Sequence, residues 1–230
     1  MKVSVKEFYE RMYGDSQEER PKLPLLYRSL RRFETNRYQL AYEAAPGGGS
    51  ALDIGCGDGE LLMLLRNKYR EIWGVDIAES RIDRTRSTLG NDPSFHLSAG
   101  DANEQLGFED DSFDTITVIA VLEHVFDPFQ FVRECHRLLR SGGTLIIEVP
   151  NVARLPNRIG LLLGRLPMTS DGPGWDGGHL HYFTRPSLKN LLGSGGFRVT
   201  RMTCGGILPR MRRPWGSLLG PDILVVGTKE

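Results

Sequence analysis

Cysteine is scarce: Cys56, Cys135 and Cys204 are the only three in 230 residues. Three scattered thiols cannot build a disulfide framework or a thiolate metal cluster. Cys56 reads as a small residue that fits its turn. Long apolar runs are missing as well. None approaches the roughly 20 residues that a membrane-crossing helix needs. The first residues, Met1-Lys2-Val3-Ser4-Val5-Lys6-Glu7, lack the apolar core of a signal peptide. Net charge is zero, with Lys+Arg and Asp+Glu at 29 each, so no global field recruits nucleic acid or an anionic membrane. Tandem basic-aromatic patches, internal repeats and low-complexity tracts are also missing. The length suits one domain, with at most a small embellishment, and a sizeable core. A soluble, cytoplasmic globular protein is expected.

What is present centres on Ala51-Leu52-Asp53-Ile54-Gly55-Cys56-Gly57-Asp58-Gly59-Glu60-Leu61-Leu62. An apolar run ends in an acid, passes through alternating glycines and opens into a leucine-rich segment, which reads as strand, tight turn and helix. Glycine is needed where backbone bends sharply or a ligand must lie against it. A dinucleotide site is the first idea, but the pyrophosphate fingerprint G-x-G-x-x-G would place its third glycine at Glu60. Asp53 and Asp58 would also stand beside the pyrophosphate, against the attraction of a helix N-terminus for anions. A cationic or zwitterionic ligand suits the turn better.

From residue 50 onward, strands are predicted over 51–54, 72–76, 95–99, 113–121 and 144–149, with helices over 60–69, 80–89 and 128–139 between them. Near-continuous apolar strands joined by helices indicate a parallel sheet covered on both faces. Ligands of such sheets bind beyond the carboxyl ends of the strands. Those ends read Asp76-Ile77, Gly100-Asp101-Ala102, Ile119-Ala120-Val121-Leu122-Glu123-His124-Val125 and Glu148-Val149-Pro150-Asn151. A strand-end carboxylate such as Asp76 is acceptor-only and suits a diol; its plain alternative is a helix N-cap. Asp101 could likewise be a turn residue, and Glu123 and His124 could merely hydrogen-bond at their strand exit.

The acid followed by G-x-G-x-G, the Gly100-Asp101-Ala102 turn, the Phe113-Asp114 strand entry, the Leu122-Glu123-His124-Val125 exit and the Leu139-Arg140-Ser141-Gly142-Gly143 turn resemble, in order, the motifs of class I S-adenosylmethionine (SAM)-dependent methyltransferases. The likeness covers about residues 48 to 151 strongly. It implies an α/β fold, a doubly wound, Rossmann-like, seven-stranded and mostly parallel sheet with an antiparallel terminal strand. It implies SAM as cofactor and S-adenosylhomocysteine as its product. The implied cofactor-binding residues are Asp53, Gly55, Cys56, Gly57, Asp76, Ile77, Asp101, Ala102, Ile119 and Ala120. Asp76 would accept from both ribose hydroxyls, Ile77 would cover adenine, and Asp101 would accept from the adenine amino group.

Two helical patterns precede the glycine stretch. Val5, Phe8, Tyr9, Met12 and Tyr13 form one; Leu26, Leu30, Phe33, Arg37, Leu40 and Ala44 form another, before the turn Pro46-Gly47-Gly48-Gly49. Residues 1–47 are thus expected as a helical cap on a domain spanning 48–230. Arg28, Arg31, Arg32 and Arg37 line up on the second helix, as a solvated face or a grip on an anionic substrate. Beyond 151 the pattern changes. A leucine-and-arginine stretch, 154–166, and a glycine-rich stretch, 171–178, precede His179-Leu180-His181-Tyr182-Phe183-Thr184 and a helix over 186–192. Crossovers of this kind are usually short, so 151–184 is expected as an inserted lid. Its leucines are expected to serve the lid or pack in a core rather than touch a membrane surface. The wording here is similar to that of ubiquinone-biosynthesis O-methyltransferases and natural-product tailoring enzymes. Strands over 197–203 and 223–228 complete the sheet, with Arg210-Met211-Arg212-Arg213-Pro214-Trp215 between them.

A hydroxyl acceptor needs a base within hydrogen-bond reach, and histidine is the default. The catalytic candidates are His124, His179 and His181. His179 and His181 with nearby Asp176 invite a metal, but no further His/Asp cluster completes a site, so none is expected. The expected function is methyl transfer from SAM to a small-molecule acceptor, at oxygen. A non-catalytic SAM-fold module is the main alternative, and an NAD-dependent oxidoreductase a weaker one.

Overall fold

The computed structural model describes residues 34–167, 169, 178–207 and 215–230. The helical pattern over 3–13, Arg28, Arg31, Arg32, Asp176 and the 210–214 arginine stretch lie outside the described residues. The chain runs β1 (Glu34–Thr35), α1 (Arg37–Ala44), β2 (Gly48–Ile54), α2 (Glu60–Leu65), β3 (Tyr69–Asp76), α3 (Glu79–Leu89), β4 (Phe95–Ala99) and β5 (Phe113–Ile119). After a 3-10 turn at Leu122–His124 it continues with α4 (Pro128–Leu138), β6 (Leu139–Pro150), α5 (Leu155–Leu162), α6 (Arg185–Ser194), β7 (Phe197–Thr203), β8 (Gly206–Ile207), α7 (Gly216–Leu219) and β9 (Asp222–Lys229).

Seven strands form one sheet in the order β4-β3-β2-β5-β6-β9-β7. The first four pairings are parallel, and β9 runs antiparallel to both β6 and β7. The expected doubly wound sheet is therefore present, its reversed strand lying one in from the edge. Side-chain alternation divides the core between the two faces. Leu52, Ile54, Ile116, Val118, Leu145 and Ile147 pack with Phe131, Cys135 and Leu138 of α4 and Leu188 and Leu192 of α6. Ala51, Ile72, Ile146 and Leu224 pack on the other face with Leu40 and Ala41 of α1 and Leu61, Leu62 and Leu65 of α2.

Two boundaries depart from the periodicity. The helix predicted through residue 69 stops at Leu65, because Tyr69 opens β3, buries its ring and donates its hydroxyl to Thr115 Oγ1 at 2.8 Å. An aromatic with a cross-strand partner gains more from the sheet than from another helical turn. Of the helix predicted across 26–44, the described residues hold Arg37–Ala44, with Glu34–Thr35 in a strand before it. Asn36 is its N-cap, accepting from Tyr38 N at 3.0 Å, and the preceding β1 pairs with β8.

The 151–184 insertion is stitched down at both ends. Asn151 bridges to Phe183, and Val152 N donates to Phe183 O at 3.1 Å. Leu180 N and His181 N both donate to Glu123 O, at 2.8 and 3.1 Å. Thr184 and Ser187 then form a reciprocal capping box that starts α6. The leucines of the 154–166 stretch do not pack in a core among the described residues: Leu162, which ends α5, is 86% exposed and Leu166, beyond it, 84%.

Candidate functional site

The glycine turn leaves the carboxyl end of β2. Gly55 N and Cys56 N both donate to Val75 O, at 2.7 and 3.0 Å, which binds the turn to β3. Gly55 has φ +77°, and a Cβ there would stand 2.2 Å from Val121 Cγ2. Only glycine meets both conditions, left-handed backbone and close approach of the β5 exit. Just before it, Asp53 is buried and accepts from Thr117 Oγ1 at 2.6 Å. Burial pushes its carboxyl up to about 7; the Thr117 bond opposes this and the Asp76 charge adds to it. Cys56 is buried, and desolvation with the neighbouring acids raises its thiol well above the usual range, so it is no nucleophile.

Asp76 ends β3 and is 6% exposed. Its Oδ2 accepts from Gly57 N and its Oδ1 from Ala78 N, each at 2.9 Å. The carboxylate thus ties the glycine turn to α3, and each oxygen retains a further lone pair for a ligand. Ile77 is half-buried beside it. Asp101, after β4, closes its own turn by accepting from Asn103 N and Nδ2, both at 2.8 Å, while Ala102 packs against the core. The turn role weighed for Asp101 is therefore real, whatever else it does. Ile119 is buried, and Ala120 follows at φ +56°, an uncommon conformation for a residue with a Cβ, held by donation from Ala120 N to Glu148 O at 3.0 Å.

Two of the three candidate histidines converge. The His124 and His179 rings stand 4.8 Å apart at 70°. His179 Nε2 lies 4.0 Å from Glu123 Oε1. Burial, with His179 adding, lowers the His124 imidazole to about 4, and burial raises the Glu123 carboxyl to about 8. His181 does not join them: its Nε2 is 3.3 Å from Phe126 O.

The sequence reading assigned no role to Glu148 or Asp222. Glu148 is 2% exposed near the end of β6, and Arg37 Nη1 lies 3.9 Å from its Oε2, an ion pair too long for a hydrogen bond. Burial, with the charge of Asp222, raises the Glu148 carboxyl well above the usual carboxylate range. The available signal was an acid inside the apolar run Leu145-Ile146-Ile147-Glu148-Val149. Glutamate is almost never fully buried unless paired. Of the aligned arginines, Arg37 thus points toward acids at this edge. A separate cavity of ≈ 500 Å³ lies at the opposite edge, lined by Gly47, Gly49, Asp114 and Arg140 among others.

This geometry agrees with the comparisons. A family model described as a methyltransferase domain matches residues 27–201, and the chain belongs to that family. A probable S-adenosylmethionine-dependent methyltransferase of Mycolicibacterium smegmatis is 34% identical over 122 residues, 53% of this chain and 45% of that protein. The ubiquinone biosynthesis O-methyltransferase of Pseudomonas paraeruginosa is 31% identical over 113 residues, 47% of each chain. The chain thus spans less than half the length of these curated relatives. Among solved structures, an S-adenosylmethionine-dependent methyltransferase of Mesorhizobium loti superposes with TM-score 0.62 at 20% identity, covering 83% of this chain and 97% of that one. The [4+2]-cyclase SpnF has the same fold likeness, TM-score 0.62 at 20% identity over 84% of this chain and 80% of its own. S-adenosylmethionine is the cofactor that family membership implies. The residues present fit it: the turn around Gly55 has no room for a Cβ, and buried acids flank it.

Proposed function

We propose that this domain moves a methyl group from SAM to a small-molecule acceptor, at oxygen. The observation that carries the reading is the pair of buried carboxylates, Asp53 and Asp76, bracketing a glycine turn that cannot hold a side chain at residue 55. Buried carboxylates favour a cationic or zwitterionic ligand and disfavour a diphosphate. When bound, the cofactor supplies a methyl group on a sulfonium, open to in-line displacement.

In this reading Asp76 orients the ribose through the lone pairs its two backbone donors leave. Asp53 and the turn 55–57 face the charged methionine end, while Ile77, Asp101 and Ala102 border the adenine. Ile119 and Ala120 form the floor next to the Glu123–His124–His179 cluster, which receives the acceptor's proton. Positioning and exclusion of water account for most of the acceleration in such a displacement. His181, anchored on Phe126 O, positions the returning end of the insertion. Residues 1–47 act as a cap, 151–184 act as a lid over the acceptor, and the protein works in the cytoplasm.

A SAM-fold module that transfers no methyl group is the second reading, since the turn around Gly55 and its buried acids bear on cofactor binding and not on acceptor competence. Calorimetry with SAM and with NADH, followed by tritiated-methyl transfer into a metabolite pool, separates the possibilities. SAM binding with transfer is expected. SAM binding without transfer in any pool supports the module, and NADH binding without SAM binding overturns both.

A further inference from the structure

We infer that Glu123, His124 and His179 form a binding site for one divalent first-row transition cation, such as zinc. Glu123 and His124 are far from His179 along the chain, and the acid nearest His179 in sequence is Asp176. The fold supplies a different acid. His179 comes back over the β5 exit when Leu180 N and His181 N dock on Glu123 O, and this sets its ring against both residues of the Glu-His pair.

Three features point to a cation. The ligand atoms of the three residues all lie within 4.8 Å of one another. Nitrogen and oxygen ligands at about 2.1 Å from a tetrahedral ion stand about 3.4 Å apart, so closure by about an ångström and a half at most completes the set. Glu123 is 1% exposed, and among the described residues neither of its carboxylate oxygens has a hydrogen-bond partner. A buried acid left this way requires an explanation, and a bound cation provides one. Finally, each imidazole is held from behind. His124 Nδ1 is 3.4 Å from the carbonyl oxygen of Gly178, which can only accept, so the proton belongs on Nδ1 and the lone pair on Nε2. His179 Nδ1 is 2.7 Å from Thr169 Oγ1, and its Nε2 faces Glu123. Outer hydrogen bonds of this kind orient metal-ligating histidines and set their tautomer. Two imidazoles and one carboxylate suit zinc, iron or cobalt rather than calcium or magnesium, and leave a coordination position open. The strand exit carrying the site begins at Val121, in contact with the glycine turn, so an ion here would adjoin the proposed acceptor position. Only that catalytic meaning rests on the proposed function; the binding site itself does not.

The test uses the full chain, stripped with a chelator, then titrated with Co²⁺ by visible absorption and with Zn²⁺ by calorimetry. One equivalent is expected to bind. His179→Ala and Glu123→Gln are expected to weaken it by about 100-fold or more, because losing even an outer partner costs about 10–100-fold. SAM affinity serves as the folding readout; should His179→Ala lose it, Glu123→Gln, which keeps shape and volume, decides the matter. Absence of stoichiometric binding, or equal affinity in a folded variant, overturns the inference. Metal binding in a chain that transfers no methyl group leaves the site standing and sinks only the catalytic reading; methyl transfer by a chain that binds no metal does the reverse.

Discussion

Asp53 offers a quantitative handle on the cofactor site. In the free protein its carboxyl is held near 7 by burial, Thr117 opposing and Asp76 adding, so near neutrality it is about half protonated. A positively charged ligand end beside it requires the ionised form. Apparent affinity then scales with the ionised fraction, the general rule for a state that is only partly populated. That fraction is about one-tenth at pH 6 and about nine-tenths at pH 8, so SAM affinity is expected to rise about tenfold between them, equivalent to about 1.4 kcal/mol. Calorimetry across this range, repeated in buffers of different ionisation enthalpy, should also detect a proton released on binding at the lower pH. Asp53→Asn removes the titration and should flatten the profile. Any titration of the ligand's own amine is common to both proteins and cancels in their ratio. The sign for stability follows from the same shift. The folded pKa lies above the unfolded one, so the protonated group's stabilisation is complete below about 4 and lost as pH rises through about 7. The ligand-free wild type should therefore lose stability over that window relative to Asp53→Asn. A flat affinity profile in the wild type, or a slope that survives in Asp53→Asn, refutes the placement of positive charge beside this acid.

Asp76→Ala should weaken SAM binding by about 1–3 kcal/mol, since charged hydrogen bonds to the ribose are lost and two backbone donors are left unmet; unchanged calorimetric affinity contradicts the ribose role. Gly55→Ala should destabilise the domain by about 2–4 kcal/mol, from left-handed strain plus the overlap with Val121. Adding Val121→Ala should recover the overlap part in chemical denaturation; no recovery means that the close approach is not the cause. His124→Ala should lower methyl transfer by about 100-fold or more with SAM affinity intact, and His181→Ala by clearly less; the opposite ranking in a radiolabel assay would assign the proton-handling role to His181.

Much of the fold was legible because its signals are local. The alternating strands and helices and the glycine turn all depend on residues within one supersecondary unit, and the structure places Asp53 and Asp76 at the strand ends the periodicity assigned. Tyr69 shows where locality fails: its partner Thr115 is far along the chain, so its preference for β3 is invisible in a helical window. The apolar spacing from Leu26 to Ala44 runs straight through Asn36, so the cap that starts α1 there is hidden in it. The histidines show the same limit at the site. His179 and His181 look equivalent at i, i+2, and only the docking of their backbone on Glu123 O separates one that meets His124 from one that meets Phe126.

The distribution of acids at the carboxyl edge separates the general from the particular in this fold. Asp53 and Asp76 serve the strand ends and the turn between them, through Thr117, Gly57 and Ala78. Glu123 and Glu148 are different: each is buried on a strand exit, raised by desolvation, and neither is needed to shape the turn. A carboxyl group in that position opposes folding unless a ligand, ion or neighbouring cation compensates it. Arg37 compensates Glu148 in part, from the helix that packs over this edge. Among the described residues Glu123 has the two imidazoles beside it and, more weakly, the charge of Arg37. The chemistry that distinguishes this chain from others of its fold, cyclase or methyltransferase, is therefore to be sought around Glu123 rather than in the glycine turn.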